Sequence, residues 1–138
     1  MTYNISPKNI GEHFEKYGDF TFHKRDYAGW IYLVECLGIY KIGQAACVEK
    51  RIKQMESGNP FPINLIHTMN SYYFRDIEKV LLEKLVSYRI RNEWFKLPMF
   101  VVYQLCQIKD HIHPAQIAEL RFDNEYKQNY DPRIRLKY

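Results

Sequence analysis

Two β-rich runs, residues 30–36 and 39–43, are separated only by Leu37-Gly38. So short a connection makes the two runs an antiparallel pair. Gly38 can take the positive φ that a tight turn requires. A turn centred on Leu37-Gly38 pairs Cys36 with Ile39, Val34 with Lys41 and Tyr32 with Gly43. Side chains alternate faces along a strand, so Tyr32, Val34, Lys41 and Gly43 share one face. Ile31, Leu33, Tyr40 and Ile42 share the other, which is the expected core face. A slip of one residue would exchange the two sets. Gly43, opposite Tyr32, is read as leaving room for a bulky group to approach the tyrosine hydroxyl.

The rest of the chain supplies what such a hairpin needs to be buried. Val48, Ile52 and Met55 form one face of a helix over residues 47–57, which Ser57-Gly58-Asn59-Pro60 ends. Residues 63–69 alternate and read as a third strand. Residues 72–90 read as the best helix, with Ile77, Val80, Leu81, Leu85 and Tyr88 on one side. Residues 93–97 read as extended. Pro98 opens another helix with Met99, Val102, Tyr103 and Cys106 inward, and Pro114 opens a last one carrying Ile117, Leu120 and Arg121. Ahead of the hairpin, Ser6-Pro7 suits a helix start. Ile10, Phe14 and Tyr17 then share a helical face, Gly18 ends it, and a short strand over 20–23 follows. The expected fold class is α+β: a small three-stranded antiparallel sheet flanked by helices, with N- and C-terminal helical extensions. The divisions are an N-terminal extension over 1–27, a core over 28–97, and helices with a basic tail over 98–138.

At 138 residues the chain is one domain. Its net charge of +4 permits nucleic-acid binding without demanding it. Cys36, Cys47 and Cys106 form no CxxC pair, so neither zinc nor a disulfide framework is suggested, and a reducing cytoplasm fits. No stretch approaches 18 apolar residues, so a soluble, intracellular protein with no membrane partner is expected. Phosphate-loop, nucleophile-elbow and HExxH motifs are all missing. His111 and His113 make an H-x-H pair, but with no third ligand they read as surface.

Two lone charges stand out. Arg51 lies within a turn of Val48 and Met55, and Glu78 lies in line with Leu82 and Leu85. Each falls at the edge of an apolar face, from which it can reach inward. The ordinary reading of such a charge is a solvated flank or a weak salt bridge. Joint placement with Tyr32 and Lys41 favours a site. Among nearby cations, Lys50, Lys53 and Arg75 are the candidate DNA contacts, with Lys79, Arg89 and Arg91 further along. The tail from Arg133 to Lys137 is basic as well.

Taken in order, Gly29-Trp30-Ile31-Tyr32, Lys41-Ile42-Gly43, Arg51, Glu78 and Asn92-Glu93-Trp94-Phe95 resemble the GIY-YIG nuclease superfamily. The likeness covers roughly residues 28–97. It is nearest to a small-domain branch with a KIG second motif and an EWF-like segment. Trp30 stands where the family has glycine, Lys41 replaces the second tyrosine, and Met55 stands where many members carry His or Tyr. The family's late asparagine corresponds to Asn92 or to Glu93. The resemblance implies Mg²⁺- or Mn²⁺-dependent hydrolysis of DNA phosphodiesters. Tyr32 would then act on the attacking water, Lys41 would serve as a base, Arg51 would bind the scissile phosphate, and Glu78 would hold the metal ion. Specificity would come from a homodimer or a protein partner. The rival expectation is a catalytically degenerate module of this fold that binds DNA or a protein, which Met55 and the missing tyrosine support.

Overall fold

The hairpin adopts the register its turn dictates: Tyr32 faces Gly43, Val34 faces Lys41 and Cys36 faces Ile39. Leu37 and Gly38 both have positive φ, at 52° and 83°, the geometry of a two-residue hairpin turn. The Glu35 carboxylate steadies the turn by accepting from the Gly38 amide at 2.8 Å.

The computed structural model describes residues 2–5, 13–17 and 20–122. In chain order the strands are β1 (Thr2–Ile5), β2 (His13–Tyr17), β3 (Phe20–Lys24), β4 (Gly29–Cys36) and β5 (Ile39–Ala45). Helix α1 (Val48–Ser57), strand β6 (Asn64–Ser71) and helix α2 (Phe74–Lys84) follow. A 3-10 turn over Val86–Tyr88 leads to β7 (Arg89–Arg91) and β8 (Trp94–Phe95), then to α3 (Met99–Cys106) and α4 (Pro114–Glu119). The α+β class is as expected. No helix among the described residues is long and apolar enough to cross a membrane.

The central antiparallel sheet has five strands in the order β6-β4-β5-β8-β7, not three. Of the extra pair, β8 falls in the stretch 93–97 expected to be extended, and β7 begins in the end of the long helix expected over 72–90. That helix stops at Lys84, because after the 3-10 turn residues 89–91 fold back as β7 against β8. Both sheet faces are covered. Ile31, Leu33 and Ile42 pack with Ile77 and Leu81 of α2, with Leu85 just past its end, and with Val101, Val102 and Leu105 of α3. Tyr32, Val34, Cys36 and Ile63 form a smaller cluster under Val48, Ile52 and Met55 of α1. Within α3 the buried residues are Phe100, Val101, Val102 and Leu105, while Met99 is 43% exposed. The helix is thus rotated from the face expected of it. A bulge between Leu33 and Val34 in the β4–β6 pairing shifts β6, so that Ile66 turns inward and Leu65 outward.

The N-terminal region departs most from expectation. His13–Tyr17 is a strand of a separate three-stranded antiparallel sheet, β1-β2-β3, where a helix is expected. The rest of the expected helix lies outside the described residues, as does the basic tail from Arg133 to Lys137. The expected strand over 20–23 is present as β3. Polar bonds seat this sheet on the body. The His23 amide donates to Asp76 Oδ2 at 2.7 Å. Glu15 is buried and accepts from the Tyr73 hydroxyl through one oxygen. Its other oxygen lies 2.9 Å from His113 Nε2. His113 also caps α4, since its Nδ1 accepts from the Ala115 amide at 3.0 Å. It is therefore a structural residue rather than half of a surface metal pair.

Candidate active site

Along β5, β8 covers only Tyr40 and Lys41. Beyond them, residues 42–45 have no strand on that edge among the described residues. Side chains from three directions meet beside this open edge. β4 brings Tyr32, one of the most buried side chains in the protein at 1% exposure. A Cβ at position 43 would overlap the tyrosine hydroxyl and ring. The space that glycine leaves is thus occupied by the phenol itself, which corrects the expectation of an entry path there.

α1 brings Arg51. Val48, Ile52 and Met55 seat the helix on the sheet, and this carries residue 51 to its flank, where the guanidinium donates a hydrogen bond to the Tyr32 hydroxyl. α2 brings Glu78. The buried Phe74, Ile77 and Leu81 set the inner face of that helix, and Glu78 is half-buried at its margin. Gln44, from β5, donates through Nε2 to Glu78 Oε1 at 3.2 Å. Lys41 Nζ stands 3.9 Å from Glu93 Oε2 and 5.8 Å from the centre of the Trp94 ring.

These groups act on one another. Burial raises the Glu78 carboxyl above its ordinary value; the Gln44 bond opposes the rise, Glu93 adds to it, and Lys41 opposes it. Burial also raises the Tyr32 phenol, against the hydrogen bond and charge of Arg51 and with the help of Glu93 and Glu78. The phenol is therefore protonated at neutral pH. Of the four residues chosen from sequence, Arg51 and Glu78 act on Tyr32, and Lys41 acts on Glu78. Of the two candidates Asn92 and Glu93, it is Glu93 that enters the electrostatics. Asn92, with φ at 54°, shapes the turn between β7 and β8. Gln44 carries no signal in the sequence beyond its parity with Ile42, which places both on the α2 side of β5.

The predicted DNA contacts lie further out. Lys50 and Lys53 are exposed on α1. Arg75, also exposed, rests its guanidinium 5.7 Å from the centre of the Phe74 ring. A cavity of about 420 Å³ adjoins the cluster, lined by Lys41, Arg89, Asn92, Glu93 and Trp94 among others. The described residues contain no group of three or more His, Cys, Asp or Glu able to cage a metal ion. What the site offers is one half-buried carboxylate with a second acting on it. That donor set suits a hard cation that keeps most of its waters.

Residues 26–112 match the T5orf172 domain. The chain belongs to the T5orf172 domain family. The T5orf172 match takes in the hairpin, α1, α2, α3 and every member of the cluster. The family is nuclease-associated. This corrects the resemblance to the GIY-YIG superfamily, whose family models find no match. The departures at Trp30, Lys41 and Met55 fall within the tripeptides and helix on which that resemblance rested. No curated protein and no solved structure matches the chain.

Proposed function

We propose that this T5orf172 domain is a DNA endonuclease that hydrolyses phosphodiester bonds at the open edge of β5, with Mg²⁺ or Mn²⁺ bound at Glu78. The observation that carries the reading is the convergence of Tyr32, Lys41, Arg51 and Glu78 in one electrostatic unit. Hydrolysis needs a well-aimed water, neutralised phosphate oxygens and a stabilised leaving oxygen. Arg51 supplies a fixed positive charge for the phosphate, and Tyr32 holds that guanidinium in place. As a neutral, buried phenol, Tyr32 is a positioning residue rather than a general base. Lys41, beside Glu93 and over Trp94, is the group placed to exchange a proton with water. When bound at Glu78, the cation would offset charge developing on the phosphate.

A second reading has its own observation. Met55 and Trp94 pack against the cluster that contains Tyr32, as expected of a module that binds nucleic acid without cutting it. Relaxation of supercoiled plasmid separates the two. The endonuclease nicks only with Mg²⁺ or Mn²⁺, and Glu78→Ala lowers the rate by about 10²–10³, typical for loss of one electrostatic group. If the folded protein cuts neither plasmid, linear duplex nor single strands with either metal, the binding module is the better description.

A further inference from the structure

Two cavities flank Glu78 along α2. The first, described above, touches Leu82 and is lined by Lys41, Arg89 and Trp94. The second, of about 280 Å³, is lined by Tyr27, Gln44, Phe74 and Arg75 among others. Phe74, Glu78 and Leu82 recur every four residues and so lie along one side of the helix. Each cavity is therefore displaced from Glu78 by about one helical turn, in opposite directions. Each has an aromatic ring at its wall: Trp94 in one, Tyr27 in the other. Tyr27 is 49% exposed and packs on Phe74 with ring centres 5.4 Å apart. Each also has a cation at its rim, Arg89 in the first and Arg75 in the second. A flat ring beside a positive charge, repeated on both sides of the carboxylate proposed to hold the cation, has the chemistry of a nucleotide: a base to stack and a phosphate to pair.

The spacing decides which form of nucleic acid fits. Phe74 and Leu82 are about 12 Å apart along the helix axis. Lys41 and Gln44, which border the two cavities on β5, are about 10 Å apart along the strand. Neighbouring bases in a duplex are separated by about 3.4 Å. Bases on the two sides of one phosphate cannot remain stacked and still enter both cavities.

We infer that the site takes an unpaired DNA strand, with the two bases flanking the scissile phosphate splayed apart onto Tyr27 and Trp94. The inference rests on the nuclease reading for the place of the phosphate and goes beyond it in naming the substrate class. A flap, a bubble or a single strand enters the site; an intact duplex must first pay for unstacking.

The test compares a DNA duplex carrying a two-nucleotide mismatched bubble with the same duplex fully paired, by fluorescence anisotropy for binding and by gel for cleavage. Wild type binds the bubble more tightly than the duplex. Tyr27→Ala weakens bubble binding by between about fivefold and about a hundredfold, the range for losing one base–aromatic stack. Tyr27→Phe keeps the ring and restores binding, which separates loss of stacking from loss of fold. Arg89→Ala weakens bubble binding on the other side. The inference is overturned if wild type binds both duplexes equally, or if Tyr27→Ala binds the bubble as wild type does. Binding that prefers the bubble, with no cleavage under any metal, would refute the nuclease reading while supporting the splayed-strand site.

Discussion

Burial holds the Glu78 carboxyl above its ordinary value of 4.5, and the Glu93 charge adds to the rise. A group whose folded-state pKa is raised binds its proton more tightly in the folded protein than in the unfolded chain. Its stabilising contribution is complete below the unfolded value and is lost as pH rises through the folded value. At neutral pH the ionised Glu78 therefore costs stability, as residues retained for chemistry often do. Glu78→Gln keeps an oxygen for Gln44 to donate to and removes the charge. It should raise the melting temperature at pH 7 and leave it nearly unchanged at pH 4, while cleavage is lost. Mg²⁺ should stabilise wild type by mass action and leave the variant unaffected. Thermal unfolding at the two pH values, with and without Mg²⁺, checks both; a variant that melts lower at pH 7 would mean the carboxylate is stabilising. The half-buried place of Glu78 was legible because helical spacing puts it at the margin of an apolar face. The burial of Tyr32 was not, because a tyrosine on the face away from the expected core gives no sign that its own ring will fill the gap beside Gly43.

The N-terminal sheet is joined to the body by the Glu15–Tyr73–His113 cluster, and here pH acts in the opposite sense. Burial alone would raise the Glu15 carboxyl. The hydrogen bonds of Tyr73 and His113, with the charges of His113 and Lys24, outweigh it and hold the carboxyl below 4.5. A lowered folded-state pKa gives stability that is present above the unfolded value and lost as pH falls through the folded value. The β2–β3 hairpin should therefore loosen in acid below about pH 4.5, ahead of the central sheet. Glu15→Gln should weaken its docking at neutral pH by about 1–3 kcal/mol, since it removes a charged acceptor from two half-buried donors. Amide exchange in β2 and β3, followed from pH 7 to pH 3.5, reads this directly; equal protection of Glu15→Gln and wild type at pH 7 would contradict it. The same glutamate explains why this element was misread from sequence. Ile10, Phe14 and Tyr17 fit a helical face, whereas in the strand the carboxylate is buried at 8% exposure and Phe14 is 40% exposed. Periodicity assumes that the apolar residue is the buried one, and a distant Tyr–His pair reverses that choice. In the β4–β5 hairpin no distant partner intervenes. A two-residue turn and strict alternation were enough to set every pair in register.

At the scale of the whole molecule, a net charge of +4 is too small to hold a polyanion unless the cations are placed well. Arg51 and Lys41 are committed to the cluster around Tyr32 and Glu93. Arg75 and Arg89 border the two cavities. Lys50 and Lys53 stand exposed on α1, on either side of Arg51 in sequence. On the nuclease reading, this placement suits them to a different task from the residues at the edge of β5: long-range attraction of the nucleic acid, with no part in the bond that breaks. Each phosphate neutralised contributes about −0.9 to the slope of log K against log salt on duplex DNA, and about −0.7 on a single strand. The double variant Lys50→Ala, Lys53→Ala should therefore bind more weakly at low salt, whatever the DNA sequence. Its salt slope should be shallower than that of wild type by about 1.4 on a single strand. The cleavage rate at saturating DNA should be unchanged, because neither residue touches the cluster that Tyr32 and Arg51 share. Titrations across a range of salt concentrations, paired with single-turnover cleavage, separate the two effects. An unchanged slope would place α1 away from the DNA. A matching fall in the saturated rate would instead mean that α1 holds Arg51 in position through its charge as well as through Val48 and Ile52.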